Sequence, residues 1–164
     1  MKAIMPVSFS IVCLFTCCKS SESSHDNSKQ GNSQISWTVL ASGTQCNQDV
    51  PMQKIIKTQE EYKSLWLKSH QSTDMDSVGP AVDFDKKWVA AIYLGMVNSG
   101  GHSAEIKSIE TIDDNTVVSV LHKKPGAGCM SASVIEFPFL LVTIDRLSND
   151  KVSFQLADEE VPCK

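Results

Sequence analysis

The sequence has no apolar run long enough to cross a bilayer. The uncharged stretch Ile4 to Phe15 falls short of the ~20 residues a spanning helix needs. Positive charge is not in excess: 15 Lys and Arg face 19 Asp and Glu, for a net charge of −4. A mildly acidic chain is a poor partner for nucleic acid and lacks the basic patch that holds proteins on anionic membranes. The short catalytic signatures are missing too: no GxSxG, no HExxH, no phosphate-cradling Gly-Lys loop. No HxH or CxxC spacing offers a metal a preformed pair of ligands. Internal repeats are absent. No catalytic residue, metal site or cofactor is therefore expected.

What is present divides the 164 residues into three parts. Lys2 followed by the apolar Ile4 to Phe15 reads as the positive and hydrophobic regions of a signal peptide. Leu14-Phe15-Thr16-Cys17 closes it and resembles the lipobox of bacterial lipoproteins, with an apolar residue three before the modified cysteine. Thr16 departs from the usual Gly, Ala or Ser, and Cys18 is the alternative acceptor. Residues 1–16 are thus expected to be a leader. From Cys17 the chain runs to Gln34 through Ser, Asn, Gly, Gln, Lys and Glu with no apolar residue after Cys18. Such a stretch buries too little to offset its ordering entropy, so residues 17–34 are read as a lipidated cysteine and a tether. The expected location is the bacterial cell envelope, lipid-anchored, facing the periplasm or the outer surface.

Residues 35–164 are read as one domain. Trp37, Val39 and Ala41 alternate with polar residues as a strand does, with Leu40 breaking the pattern. Met52 to Ile56 is a second strand. Thr58-Gln59-Glu60-Glu61 is a capping box, and Tyr62, Leu65 and Trp66 follow at helical spacing. The one main helix is placed near residues 58–69. Trp88 to Leu94 is apolar nearly throughout, as in a strand covered on both faces. Strands around Ala104 to Ile109 and Val117 to Leu121 flank a turn at Asp113-Asp114-Asn115. Phe139 to Ile144 is a further strong strand, and Val152 and Phe154 end the pattern. The expectation is an α+β fold with a mostly antiparallel sheet, sandwich-like or barrel-like.

Asp83-Phe84-Asp85, the strand Trp88 to Leu94 with Gly95, the loop Ser99-Gly100-Gly101-His102-Ser103, Lys124-Pro125-Gly126 and Phe137-Pro138-Phe139-Leu140-Leu141-Val142 come in that order. This series resembles the C-terminal domain of the PrcB-type protease-complex lipoproteins. Their loop reads Thr-Gly-Gly-Tyr-Ser, so Ser99 and His102 stand where that family has Thr and Tyr. The resemblance implies a non-catalytic protein-interaction module, with an accessory or stabilising subunit of an exported protease complex as the more specific reading. Its partners would be the membrane, through the lipid, and an envelope protein such as a protease.

Asn98, Ser99, Gly100, Gly101 and His102 are the partner-binding candidates. Glycine lets a second chain approach closely, although a Gly-Gly pair also serves a simple turn. His102 has no neighbour at ligand spacing, since His70 and His122 are distant in sequence. The same loop is loosely similar to the Asn-Pro-Thr-Thr-Gly-Tyr loop of chagasin-type inhibitors, so a protease inhibitor is the alternative function. A thiol–imidazole pair of Cys129 with His102 is the remaining catalytic arrangement to weigh. In an oxidising compartment one disulfide is expected among Cys46, Cys129 and Cys163. Cys46–Cys129 is favoured, because both flank glycine-bearing turns and Cys163 sits at the chain end.

Overall fold

Alternation, capping and turn chemistry account for most of the elements found in a computed structural model, which describes residues 33–70 and 79–163. The leader, Cys17, Cys18 and most of the tether lie outside the described residues. The strands are β1 (Ser33–Gln34), β2 (Trp37–Gly43), β3 (Met52–Ile56), β4 (Lys87–Tyr93), β5 (Ser103–Ile112), β6 (Asn115–Pro125), β7 (Phe139–Asp145) and β8 (Val152–Val161). The helix α1 (Gln59–Ser69) lies between β3 and β4. Ser33 and Gln34, the last residues of the stretch read as tether, pair with Thr111 and Glu110 of β5.

Two four-stranded sheets form, ordered β1-β5-β6-β8 and β2-β7-β4-β3. The fold is therefore α+β and sandwich-like; the barrel alternative is not realised, because neither sheet closes on itself. The second sheet is the middle of three layers. Trp88, Ala90, Ile92 and Leu94 point from β4 and its end toward Ile106, Ile109, Val118 and Val120 of the first sheet. Val89, Ala91 and Tyr93 point the other way, into a cluster with Ile56 of β3 and Tyr62 of α1. Coverage on both faces explains the apolar run of β4: a polar side chain would lose water on either side. Each fully buried aliphatic contributes roughly 1.5–3 kcal/mol.

Local exceptions to the strand period have structural causes. Leu40 falls at a bulge in β2, where the register to β7 shifts between Val39 and Ala41. A second bulge between Ile106 and Ser108 lets Ile106 and Ile109 share the core face at odd spacing. The β5–β6 hairpin closes on Asp113 and Asp114, both with positive φ of 48° and 62°, as a two-residue hairpin turn requires. Thr58 caps α1 by accepting from the Glu61 amide at 3.2 Å, and the Glu61 carboxylate reaches back to the Lys57 amide at 3.3 Å.

Two expectations are corrected. Strand β8 does not stop near Phe154 but continues to Val161. Its second half, Leu156 to Val161, is exposed and carries Asp158, Glu159 and Glu160. Acidic residues signal a strand weakly, yet here they lie parallel to β6 in the register His122↔Asp158, Lys123↔Glu159, Lys124↔Glu160. Opposite charges side by side stabilise the pairing, and exposed charge guards the sheet edge against aggregation. The disulfide is Cys129–Cys163, not Cys46–Cys129, and Cys46 is a free thiol. The reason is again β8: its last pair, Pro125↔Val161, delivers the chain end beside the turn that carries Cys129.

Candidate functional site

The Asn98–His102 loop joins the middle sheet to the outer one. It leaves β4 through Val97, whose amide and carbonyl both bond Glu136 at 2.9 and 3.0 Å. Gly100 donates to the Ala132 carbonyl at 2.9 Å. Gly101 has φ +92°, a backbone angle that side chains resist. A Cβ there would also stand 3.1 Å from Cγ of Pro125. Of the two glycines, only Gly101 is demanded by the turn; Gly100 has no positive φ and its nearest neighbour would be 3.4 Å away.

His102 ends the loop and is half-buried, not isolated. The β5–β6 pairing sets Ala104 opposite His122, and the β6–β8 register sets Asp158 beside His122. A continuous chain of hydrogen bonds results. Ser99 Oγ lies 3.0 Å from His102 Nε2, and His102 Nδ1 lies 2.8 Å from His122 Nε2. His122 Nδ1 lies 3.1 Å from Asp158 Oδ1, and Lys124 Nζ donates to Asp158 Oδ2 at 3.0 Å. With both imidazoles neutral, every donor has its acceptor in one direction. The Ser99 hydroxyl donates to His102, His102 Nδ1–H to His122, and His122 Nδ1–H to the carboxylate.

The surroundings bias this cluster against positive charge on His102. Burial lowers its pKa first, and the neighbouring His122 and the Lys124 ammonium lower it further against the pull of Glu136 and Asp158. The hydrogen bond and charge of Lys124 hold Asp158 below the usual carboxylate value, with His122 adding to the effect. Glu136 keeps its Oε2 buried without a hydrogen-bond partner among the described residues.

A serine at the end of a His–His–Asp chain has the connectivity of an activated nucleophile. Acyl transfer also needs amide donors aimed at the developing oxyanion, commonly from the residue after the nucleophile. That amide, Gly100 N–H, already donates to Ala132. Cys129 is locked in its disulfide, so the thiol–imidazole pair with His102 does not form. The free Cys46 donates to the Phe137 carbonyl at 3.2 Å beside a cavity of about 250 Å³ that Ser69 and His70 also line. Burial raises its pKa, which keeps it a thiol rather than a reactive thiolate. Among the described residues no group of three or more His, Cys, Asp or Glu is placed to hold a metal ion.

A second feature adjoins the loop. The segment after Cys129 runs exposed from Met130 to Ile135. Met130 is fully exposed, and Val134 and Ile135 are 43% and 57% exposed. This apolar segment lies against the loop: Ala132 takes the Gly100 amide, and a Cβ added at Gly100 would stand 3.4 Å from Val134 and 3.6 Å from Ala132. Its ends are held by the Cys129–Cys163 bridge and the Val97↔Glu136 pairing. From the sequence, His122 and Asp158 gave no signal as site residues, since only strand pairing brings them to His102. Met130, Val134 and Ile135 were readable as apolar, but not as exposed.

Comparison with known proteins gives one result that bears on this region. Residues 88–145, from β4 to the end of β7, match the family described as PrcB C-terminal. The matched stretch contains the whole Asn98–His102 loop, His122 and the exposed apolar segment. No curated protein and no solved structure gives a significant match to the chain.

Proposed function

We propose that this chain, with its PrcB C-terminal match at residues 88–145, is a non-catalytic, lipid-anchored envelope protein that docks on another exported protein. A protease complex is the partner class, because the family is named for an accessory subunit of one. The observation that carries the reading is the apolar surface of Met130, Val134 and Ile135 beside the Asn98–His102 loop. Exposed side chains of this kind cost solubility unless a partner covers them, and these are held in place rather than left on a frayed end. The engaged Gly100 amide supports a binding rather than a catalytic role. A protease inhibitor would present an apolar loop tip to a cleft; here the tip is Asn98 to Gly101, and the apolar residues stand on the neighbouring segment. Anchoring rests on the Leu14 to Cys17 pattern.

The test is capture from envelope extracts, with bound proteins identified by mass spectrometry. Wild-type bait should retain a protease or its complex, and a Met130→Ser/Ile135→Ser double variant should lose it at unchanged melting temperature. Equal capture by both baits sinks the docking surface. A captured partner unrelated to proteolysis sinks the partner class.

A further inference from the structure

The His102–His122 contact has one property that the docking reading does not use. Facing ring nitrogens 2.8 Å apart share one proton well and two badly. With both rings neutral the bond runs from His102 Nδ1–H to the lone pair of His122 Nε2. A single added proton is tolerated, because His102 Nε2–H then donates to Ser99 Oγ instead of accepting from it. When both rings are protonated, two N–H groups point at each other and the contact must open. The ring centroids are 5.1 Å apart, close to the N···N distance plus two ring radii, so the nitrogens face each other in line.

We propose that the His102–His122 pair is a proton-operated latch, which fastens the Asn98–His102 loop to β6 and β8 at neutral pH and releases it in acid. The groups that bear on it come from every adjoining element. Ser99 lies in the loop, Lys124 on β6, Asp158 on β8 and Glu136 on the segment before β7. Glu136 and Asp158 favour the protonated ring, whereas Lys124 and the second imidazole oppose it. The sign follows from His102, whose proton affinity is lower in the folded protein than the ordinary 6.5. The closed loop is favoured above that pH and loses ground as the pH falls through the lower folded value. A periplasmic or surface protein meets such changes directly from its medium. If the loop docks as proposed above, acid weakens docking; that consequence rests on the docking reading, and the latch itself does not.

Two substitutions separate proton control from plain structure. His122→Gln keeps an acceptor for His102 and a donor for Asp158 but cannot be protonated. His122→Phe removes both bonds. Amide hydrogen exchange of residues 98–103, corrected for the intrinsic rate, is read on the whole chain from pH 7.5 to 5. Wild type should lose protection as the pH falls, by at most about tenfold per unit for each proton taken up. His122→Gln, which lacks the second charge and still faces His102 with an acceptor, should lose clearly less protection than wild type over the same range, and His122→Phe should be unprotected at every pH. The latch is overturned if wild type keeps its protection at pH 5, or if His122→Gln follows the wild-type profile. Capture of the envelope partner at pH 7.5 with wild type and His122→Phe is a separate reading. Equal capture by the two sinks the loop's part in docking while leaving the exchange result to decide the latch.

Discussion

Cutting the Cys129–Cys163 bridge should remove a large part of the domain's stability. The two cysteines are 34 residues apart in sequence, and on the chain-entropy argument closing a loop of that length is worth about 4 kcal/mol. A domain of this size has about 5–15 kcal/mol in all. Part of the effect should survive reduction, because the Gly126 amide still donates to the Val161 carbonyl at 3.0 Å and the β6–β8 pairing runs up to the same point. That pairing is exposed from Gln155 onward, so it frays readily once the covalent tie is gone. We expect a Cys129→Ser/Cys163→Ser double variant to lose about 3–4 kcal/mol. Urea unfolding followed by tryptophan fluorescence measures it, since Trp88 is buried at the sheet interface and Trp37 packs against the same cluster. A loss below about 1 kcal/mol would refute the reasoning, showing that the bridge constrains only a strand end that opens on its own. Non-reducing peptide mapping should return Cys46 as the free thiol; a bridge that includes Cys46 would refute the pairing outright.

Other outcomes follow from single positions. Gly101→Val should cost about 1–2 kcal/mol through its positive φ alone, plus the approach to Pro125, whereas Gly100→Ala should stay within about 0.5 kcal/mol; thermal melts of the pair test whether only one glycine is required. Tyr62→Phe should leave stability unchanged or raise it by about 1 kcal/mol, because the buried Tyr62 hydroxyl has no hydrogen-bond partner among the described residues and its pKa is pushed up to about 12 by burial; a clear drop in melting temperature would show a bond the structure does not contain. Cys17→Ser should give an unprocessed precursor without acyl chains, checked by mass spectrometry of the membrane fraction, and an unmodified mature N-terminus at another residue would defeat the anchoring proposal.

Much of the fold was legible because its causes are local. The alternation of β2 announces a strand, although Val39 ends exposed and Leu40 packs inward; the double-sided apolar run of β4 announces how that strand will be covered. Thr58 and Glu61 mark the start of α1 from side-chain chemistry that acts across three residues. Asp113 and Asp114 tolerate the left-handed backbone of a tight hairpin. Even the interruption at Leu40 was visible as a break in alternation, though its meaning as a bulge needed the β7 partner. The Gly100–Gly101 turn was legible as a turn, and the structure assigns the required glycine to one of the two.

The rest depends on which strands meet, and no window of sequence contains that. Asp158, Glu159 and Glu160 look like a solvated acidic tail until β8 lies parallel to β6, where they meet His122, Lys123 and Lys124 in register. The same pairing brings Cys163 to Cys129 and leaves Cys46 alone. It also completes the Ser99–His102–His122–Asp158 chain from three elements, with His102 and His122 separated by 20 residues. Side-chain periodicity and capping operate over a few residues, so the sequence by itself determined most of the elements and, for β4, the two faces it buries. Strand partners, the disulfide and the histidine pair are set by long-range register, which is decided only when the two sheets close on a common core.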